Sequence, residues 1–362
     1  MTYDKFTITY DPTHNIQLDA HVPKIEVNDD NGNLKNLPAV VSFHGGGLVA
    51  GSKDDLYFPR DLADKFLSQN VIFISPNYRL LYPSTGYDIL ADVHVLFDYL
   101  ASDTSELGQL LAQKNTRLDI NRIGVIGFSG GNYPARISLM DSINPLSRPK
   151  VHWNLYGMGG DFLLDHWINV KPPDEYVPDL TFFKEKVEGI LNDPKYKRET
   201  KGLSEAHLGA EGDERGRMGL FVWFINQGNI LDVLLDQPGL SARLRSVPYD
   251  QRIELLNDEQ IKILSIILPI TQRRPTPTPT PGPTPTPTII IHGENDRIVP
   301  IEESYKHHDD LKELGASKVK TIWVKDAGHG LFIDGQWPEF IPGVESITDQ
   351  GVEFVMEELN KA

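Results

Sequence analysis

From Pro38 to the carboxyl terminus, short apolar runs alternate with helical segments, and one long interruption breaks the alternation. No other feature restricts the fold so far. Unbroken apolar runs of this length suit strands buried on both faces of a parallel sheet, whose crossovers are usually helices. The runs are Pro38–Phe43, Val71–Ser75, Ile123–Gly127, Val151–Tyr156, Thr288–His292 and Val319–Val324. Helical spacing fits Asp61–Leu67, Ile89–Leu100, Glu303–Leu314 and Thr348–Leu359. Ahead of them, polar–apolar alternation in Phe6–Tyr10 and Ile16–Ala20 reads as an antiparallel hairpin around Asp11-Pro12. The fold class is therefore α/β, a mostly parallel central sheet flanked by helices.

The interruption divides the chain. Residues 1–158 read as the first part of the core, and 159–274 as a helical cap inserted before the strand at Thr288. Within the cap the pattern is helical over Leu180–Leu191, Met218–Leu235 and Arg252–Ile266. Residues 275–288 alternate Pro and Thr, broken only by Gly282; proline at every second position forbids helix and ladder pairing, so extended polyproline II is expected. This segment reads as a surface strap or linker, either a neutral expansion or a site of docking or modification. Residues 289–362 complete the core.

Composition removes several functions. The 35 basic and 51 acidic residues leave a net charge of −16, which disfavours nucleic acid or an anionic membrane as partner. With no cysteine, disulfides, thiolate metal sites and a cysteine nucleophile are excluded. No stretch reaches the ~20 apolar residues of a membrane span, and the segment MTYDKFTITYD lacks an apolar signal region, so a cytoplasmic location is expected.

Four motifs then fall at strand ends. Gly127-Phe-Ser-Gly-Gly131 is G-x-S-x-G directly after a β-branched strand and before a helical segment at Tyr133–Leu139. Such a turn is so tight that its serine, Ser129, projects its hydroxyl outward and its neighbours must be small. His44-Gly-Gly-Gly47 follows the first buried strand; glycines let several amides converge on one developing negative charge. Asp296, in His292-Gly-Glu-Asn-Asp296, and His329, in Asp326-Ala-Gly-His-Gly330, each follow a strand. A neutral imidazole accepts a serine proton when a carboxylate fixes its tautomer. Glu294 and Asp326 are rivals for the acid. Of the other histidines, His292 reads as a structural loop residue, His307-His308 as part of an exposed helix, and His166 as part of the insertion. No histidine pair has metal-ligand spacing beside a carboxylate, so neither metal nor cofactor is expected.

Together, HGGG at His44, GFSGG at Gly127, HGENDRIVP at His292 and GHG at Gly328 resemble the hormone-sensitive-lipase-like branch of the α/β hydrolases; Tyr78-Arg79-Leu80 matches the same branch. The likeness covers roughly residues 1–160 and 288–362, and Tyr156-Gly-Met-Gly-Gly-Asp161 is similar to fungal members. It implies the α/β-hydrolase fold, with Ser129 as nucleophile, Asp296 as acid and His329 as base. It also implies an oxyanion hole from the amides of Gly46, Gly47 and Gly130. Two departures stand out. The family's usual Asp-Ser-Ala is Phe128-Ser129-Gly130 here, and its amino-terminal cap helices are missing, which leaves the lid to the insertion.

The expected activity is hydrolysis of a small-molecule carboxylic ester of short to medium acyl chain, without a cofactor. Phe182, Phe183, Phe221, Trp223 and Phe224 either line its pocket or pack the cap helices together. Amide, formamide or lactone hydrolysis with the same residues, and a non-catalytic ligand-binding role, are the alternatives.

Overall fold

The computed structural model describes residues 3–25, 34–172, 180–208, 214–264, 285–334, 336 and 338–361. Its strands are β1 (Tyr3–Asp11), β2 (Ile16–Pro23), β3 (Lys35–Phe43), β4 (Ile72–Pro76), β5 (Thr116–Phe128), β6 (Val151–Leu155), β7 (Thr288–Gly293) and β8 (Val319–Val324). They form one eight-stranded sheet in the order β1-β2-β4-β3-β5-β6-β7-β8. β1 and β2 are the expected hairpin, and β2 runs antiparallel to β4; from β4 to β8 every pairing is parallel.

The continuous apolar runs are explained by two-sided burial. In β3, Ala39, Val41 and Phe43 face one core and Val40 the other. On the first face pack α2 (Gly86–Leu100), α3 (Glu106–Ala112) and α4 (Asn132–Ile137). On the second, α1 (Arg60–Leu67) and α14 (Val344–Leu359) cover Phe73, Trp153 and Ile289. α13 (Ile301–Glu313) lies between β7 and β8 in the chain and packs on both.

Between β6 and β7 the described elements include the helices α5 (Asp165–Ile168), α6 (Leu180–Asn192), α7 (Pro194–Glu199), α8 (Glu214–Gln227), α9 (Ile230–Leu234), α10 (Leu240–Arg245), α11 (Tyr249–Arg252) and α12 (Asp258–Ile263). Their apolar residues, among them Leu220, Phe224 and Leu234, join the core of the first face. Two expected helices are divided. Met218–Leu235 breaks at Gly228, whose φ of 56° is left-handed and whose Cα approaches the backbone of Ile168 and Asn169 too closely for a side chain. Arg252–Ile266 breaks at Asn257, which caps α12 by accepting from the Gln260 N–H. Ile266 lies outside the described residues, as does most of the Pro-Thr segment, positions 275–284. No helix among the described residues is long and apolar enough to cross a membrane.

Candidate active site

β5 ends at Phe128 and the chain turns at once through a single 3₁₀ turn, Ser129–Gly131, into α4. Ser129 carries the strain of that reversal with φ at 51°. A left-handed non-glycine residue costs about 1–3 kcal/mol and persists only where its surroundings enforce it. Here a Cβ at Gly127 would meet the backbone of Asn132, and one at Gly131 the carbonyls of Phe43 and His44. The turn is further held from the loop after β6, where the Met158 N–H donates to the Ser129 carbonyl at 2.9 Å.

The loops after β7 and β8 bring the other two residues in. They brace one another: Glu294 N–H donates to Val324 O and Asn295 N–H to Ala327 O, both at 2.9 Å. His329 Nε2 lies 2.9 Å from Ser129 Oγ, and His329 Nδ1 lies 2.7 Å from Asp296 Oδ2. Ser129, His329 and Asp296 are thus brought together. The rivals Glu294 and Asp326 are exposed, and His329 Nδ1 faces neither.

Asp296 is buried and every oxygen of it is engaged. Oδ1 accepts from the N–H groups of Ile298 and Val299 at 2.9 and 3.0 Å. Oδ2 accepts from His329 and, at 3.1 Å, from His292 Nε2. Burial alone would raise its pKa; the charge of His329 and the ring hydrogen bonds outweigh burial and hold the carboxyl far below the ordinary range. It is a carboxylate throughout the neutral range.

His292 corrects the sequence reading. It is no loop residue but the buried penultimate position of β7. Its Nε2 also lies 2.9 Å from the Val299 carbonyl, which only accepts, so the proton is on Nε2 and is shared between Val299 O and Asp296. Nδ1 then accepts from Ser304 Oγ at 2.7 Å. His292 is a positioning residue for Asp296. Since a misplacement of about 1 Å can cost about 100-fold, His292→Ala is expected to lower kcat by about 10- to 100-fold with little change in KM. Steady-state kinetics on an ester substrate measures this; an unchanged kcat contradicts the role.

The glycine run after β3 faces the Ser129 turn. Gly46 and Gly47 have φ of 98° and 60°, and Leu48 continues the left-handed stretch at 66°. A Cβ at Gly130 would lie 2.7 Å from the Leu48 nitrogen and 2.9 Å from that of Gly47. That approach accounts for glycine where alanine is usual: the amides of the His44 loop sit against the backbone of the residue after Ser129. His44 stacks on Tyr78 at 4.4 Å, and the Tyr78 hydroxyl donates to the His44 carbonyl.

A cleft of about 1360 Å³ opens over Ser129 and His329. Its walls include Phe128, Tyr156, Met218, Phe221, Leu56 and Phe332. Of the five aromatics read as either pocket lining or cap packing, Phe221 lines the cleft, while Phe224 is buried in the core and Trp223 packs against it. The side chains of Phe182 and Phe183 lie outside the described residues.

Beside the site lies a buried acid that sequence reading passed over. Glu303 on α13 accepts from the Gly160 N–H and from Trp167 Nε1. His307, one turn on, is buried rather than exposed and meets Asn154 Nδ2 at 3.1 Å, because this face of α13 packs onto the sheet. Burial, aided by the charge of Asp161, pushes the Glu303 pKa up from 4.5 to about 7. Between these values the folded state holds a proton that the unfolded state has lost. Its stabilising contribution, roughly 3 kcal/mol, is therefore complete below about pH 4.5 and vanishes as pH rises through 7. Denaturant midpoints from pH 4 to 8 should show wild type losing stability across that window relative to Glu303→Gln; parallel curves would contradict the assignment.

Comparisons with known proteins agree with this architecture. The BD-FAE family model matches residues 25–144, and that of the prolyl oligopeptidase family matches 253–336. A probable carboxylesterase M8 of Phoma sp. is 26% identical over 303 residues, covering 82% of this chain and 80% of that one. A probable carboxylesterase clz11 of Cochliobolus lunatus is 27% identical, covering 54% and 87%. Among solved structures, the carboxylesterase EstE1 from a metagenomic library superposes with a TM-score of 0.55 at 17% identity, covering 99% of this chain and 89% of that one. A protein of unknown function from Staphylococcus aureus gives 0.57 at 17%, covering 98% and 99%. The sheet order and these superpositions give the chain the α/β-hydrolase fold, and its sequence is similar to those of fungal carboxylesterases.

Proposed function

We propose that the protein hydrolyses carboxylic esters by two-step acyl transfer, with Ser129 as nucleophile, His329 as base and Asp296 as the acid that orients it. The carrying observation is the continuous hydrogen-bonded chain from Ser129 Oγ through both nitrogens of His329 to Asp296. The carboxylesterase relatives support ester rather than amide chemistry.

Asp296 accepts from Nδ1, which leaves Nε2 unprotonated and able to take the Ser129 proton. Oγ attacks the ester carbonyl carbon; the C–O π bond opens and its electrons go to the oxygen. The amides of Gly46, Gly47 and Gly130 stabilise that oxyanion, each such donor contributing about 3 kcal/mol. As the tetrahedral adduct collapses, the alcohol leaves with the proton from His329. Water, deprotonated by the same nitrogen, then attacks the acyl-enzyme and frees the acid and Ser129. No step requires a cofactor.

The acyl group suited to the site is uncharged and of short to medium length, set against Phe221 and Met218. Leu56 and Phe332 line the same cleft. Hydrolysis of p-nitrophenyl esters from acetate to palmitate tests this reading. Turnover is expected to peak at the short and medium chains; inertness toward the whole series overturns it.

A further inference from the structure

We infer that Arg217, a cap residue, sets the position of the glycine loop that holds the oxyanion, and so acts in the transition state without touching substrate. The inference rests on the proposed ester hydrolysis and extends it to a positioning residue outside the core.

The glycine loop needs an external hold. Gly46, Gly47 and Leu48 are three consecutive left-handed residues, and Leu48 is not glycine. Internally the loop is tied by the Val49 and Ala50 N–H groups, both donating to Gly46 O at 3.1 Å. The Leu81 N–H donates to Leu48 O at 2.7 Å from outside it. The next carbonyl, Val49 O, receives Arg217 Nε at 2.7 Å. The same guanidinium donates through Nη2 to Leu81 O at 2.9 Å and Tyr82 O at 3.0 Å. Arg217 therefore joins the glycine loop to the very segment that supports it. Nη1 meets the Tyr196 hydroxyl at 2.9 Å, which fixes the plane of the fork from a second cap helix.

The same helix acts on the loop twice. Arg217 and Phe221 stand four residues apart on α8 and share a face. Phe221 lies directly over Gly47, so closely that any Cβ there would enter the ring. Arg217 pulls on the back of the loop while Phe221 closes its front. Beyond it, Gly51 and Ala206 exchange both backbone hydrogen bonds, at 2.6 and 3.0 Å. The cap is thus fastened along the loop rather than hinged above it. Only a planar fork with several donors reaches all three carbonyls at once, and an ammonium does not.

The test compares wild type with Arg217→Lys, Arg217→Met and Tyr196→Phe on p-nitrophenyl butyrate, alongside thermal midpoints and affinity for an alkyl boronic acid that forms a tetrahedral adduct on Ser129. Arg217→Lys is expected to lower kcat by about 10- to 50-fold with KM within about 3-fold. Boronate affinity should fall by the same factor as kcat, and Arg217→Met should lose more than Arg217→Lys. Tyr196→Phe, which buries no new charge, is expected to fold normally and lose about 2- to 5-fold in kcat. Folded variants with wild-type kcat and boronate affinity overturn the inference. So does a loss confined to KM, or a boronate affinity that stays constant while kcat falls. Wild type that turns over while Ser129→Ala does not establishes the hydrolase reading separately; an inert wild type overturns that reading and this inference together.

Discussion

Replacing Ser129 with alanine is expected to lower kcat on a p-nitrophenyl ester by about 10⁴- to 10⁶-fold, while the protein stays folded and binds substrate with similar KM. Removal of a nucleophile that works as one unit with its base costs about as much as removing the whole unit. The geometry makes the unit tight, since Ser129 Oγ has His329 Nε2 at 2.9 Å as its proton acceptor. Nothing structural is lost with the hydroxyl. The strained φ of 51° is imposed by backbone contacts at Gly127 and Gly131 and by the Met158 hydrogen bond, all of which alanine keeps. The residual rate reports what the glycine amides and the cleft contribute without a nucleophile. Parallel circular-dichroism melts separate lost chemistry from lost fold.

The second large effect is Asp296→Asn, expected to cost about 10⁴-fold in kcat. The reason lies in the four hydrogen bonds Asp296 accepts. Oδ1 faces two backbone N–H groups and Oδ2 faces two imidazole nitrogens. An asparagine has one oxygen for two donor-filled sides. Turned with its oxygen to Ile298 and Val299, it presents N–H to His329 and forces the proton onto Nε2. That nitrogen then points a hydrogen at Ser129 and no longer accepts one. Turned the other way, its N–H₂ opposes two buried amides, each of which costs about 1–3 kcal/mol when left unsatisfied. Activity and stability should therefore both fall. A variant with kcat within tenfold of wild type would contradict Asp296 as the orienting acid and return Glu294 and Asp326 to consideration.

The residues proposed to carry the chemistry were legible because each is local. Ser129, Asp296 and His329 sit where an apolar run gives way to small residues, and strand ends of an open parallel sheet collect functional groups on one edge. Gly46, Gly47 and Gly130 were readable for the same reason, as small residues placed where backbone must approach backbone. His292 was missed although a signal existed. It ends the same apolar run that delivers Asp296, and a histidine inside a β-branched strand demands partners. His307 carried a helical signal too: Glu303, His307 and Leu311 recur at four-residue spacing, and that face is the buried one. The divided cap helices were announced by Gly228-Asn229 and by Asn257 with Gln260 three residues on. Arg217 had no local signal at all. Its value comes from three carbonyls supplied by Val49, Leu81 and Tyr82, more than 130 residues earlier in the chain. Apolar periodicity reports which face of a helix is buried, not which loop lies beneath it.

Everything proposed for the site depends on Ser129 being a nucleophile activated by His329. Intact-protein mass spectrometry after treatment with a fluorophosphonate tests it most directly, because the reagent reacts with an activated serine whatever the natural ester. One adduct per chain is expected, mapped to the peptide containing Ser129, formed in step with loss of esterase activity and absent from Ser129→Ala. An unlabelled protein, or an adduct at another residue with activity retained, would contradict it.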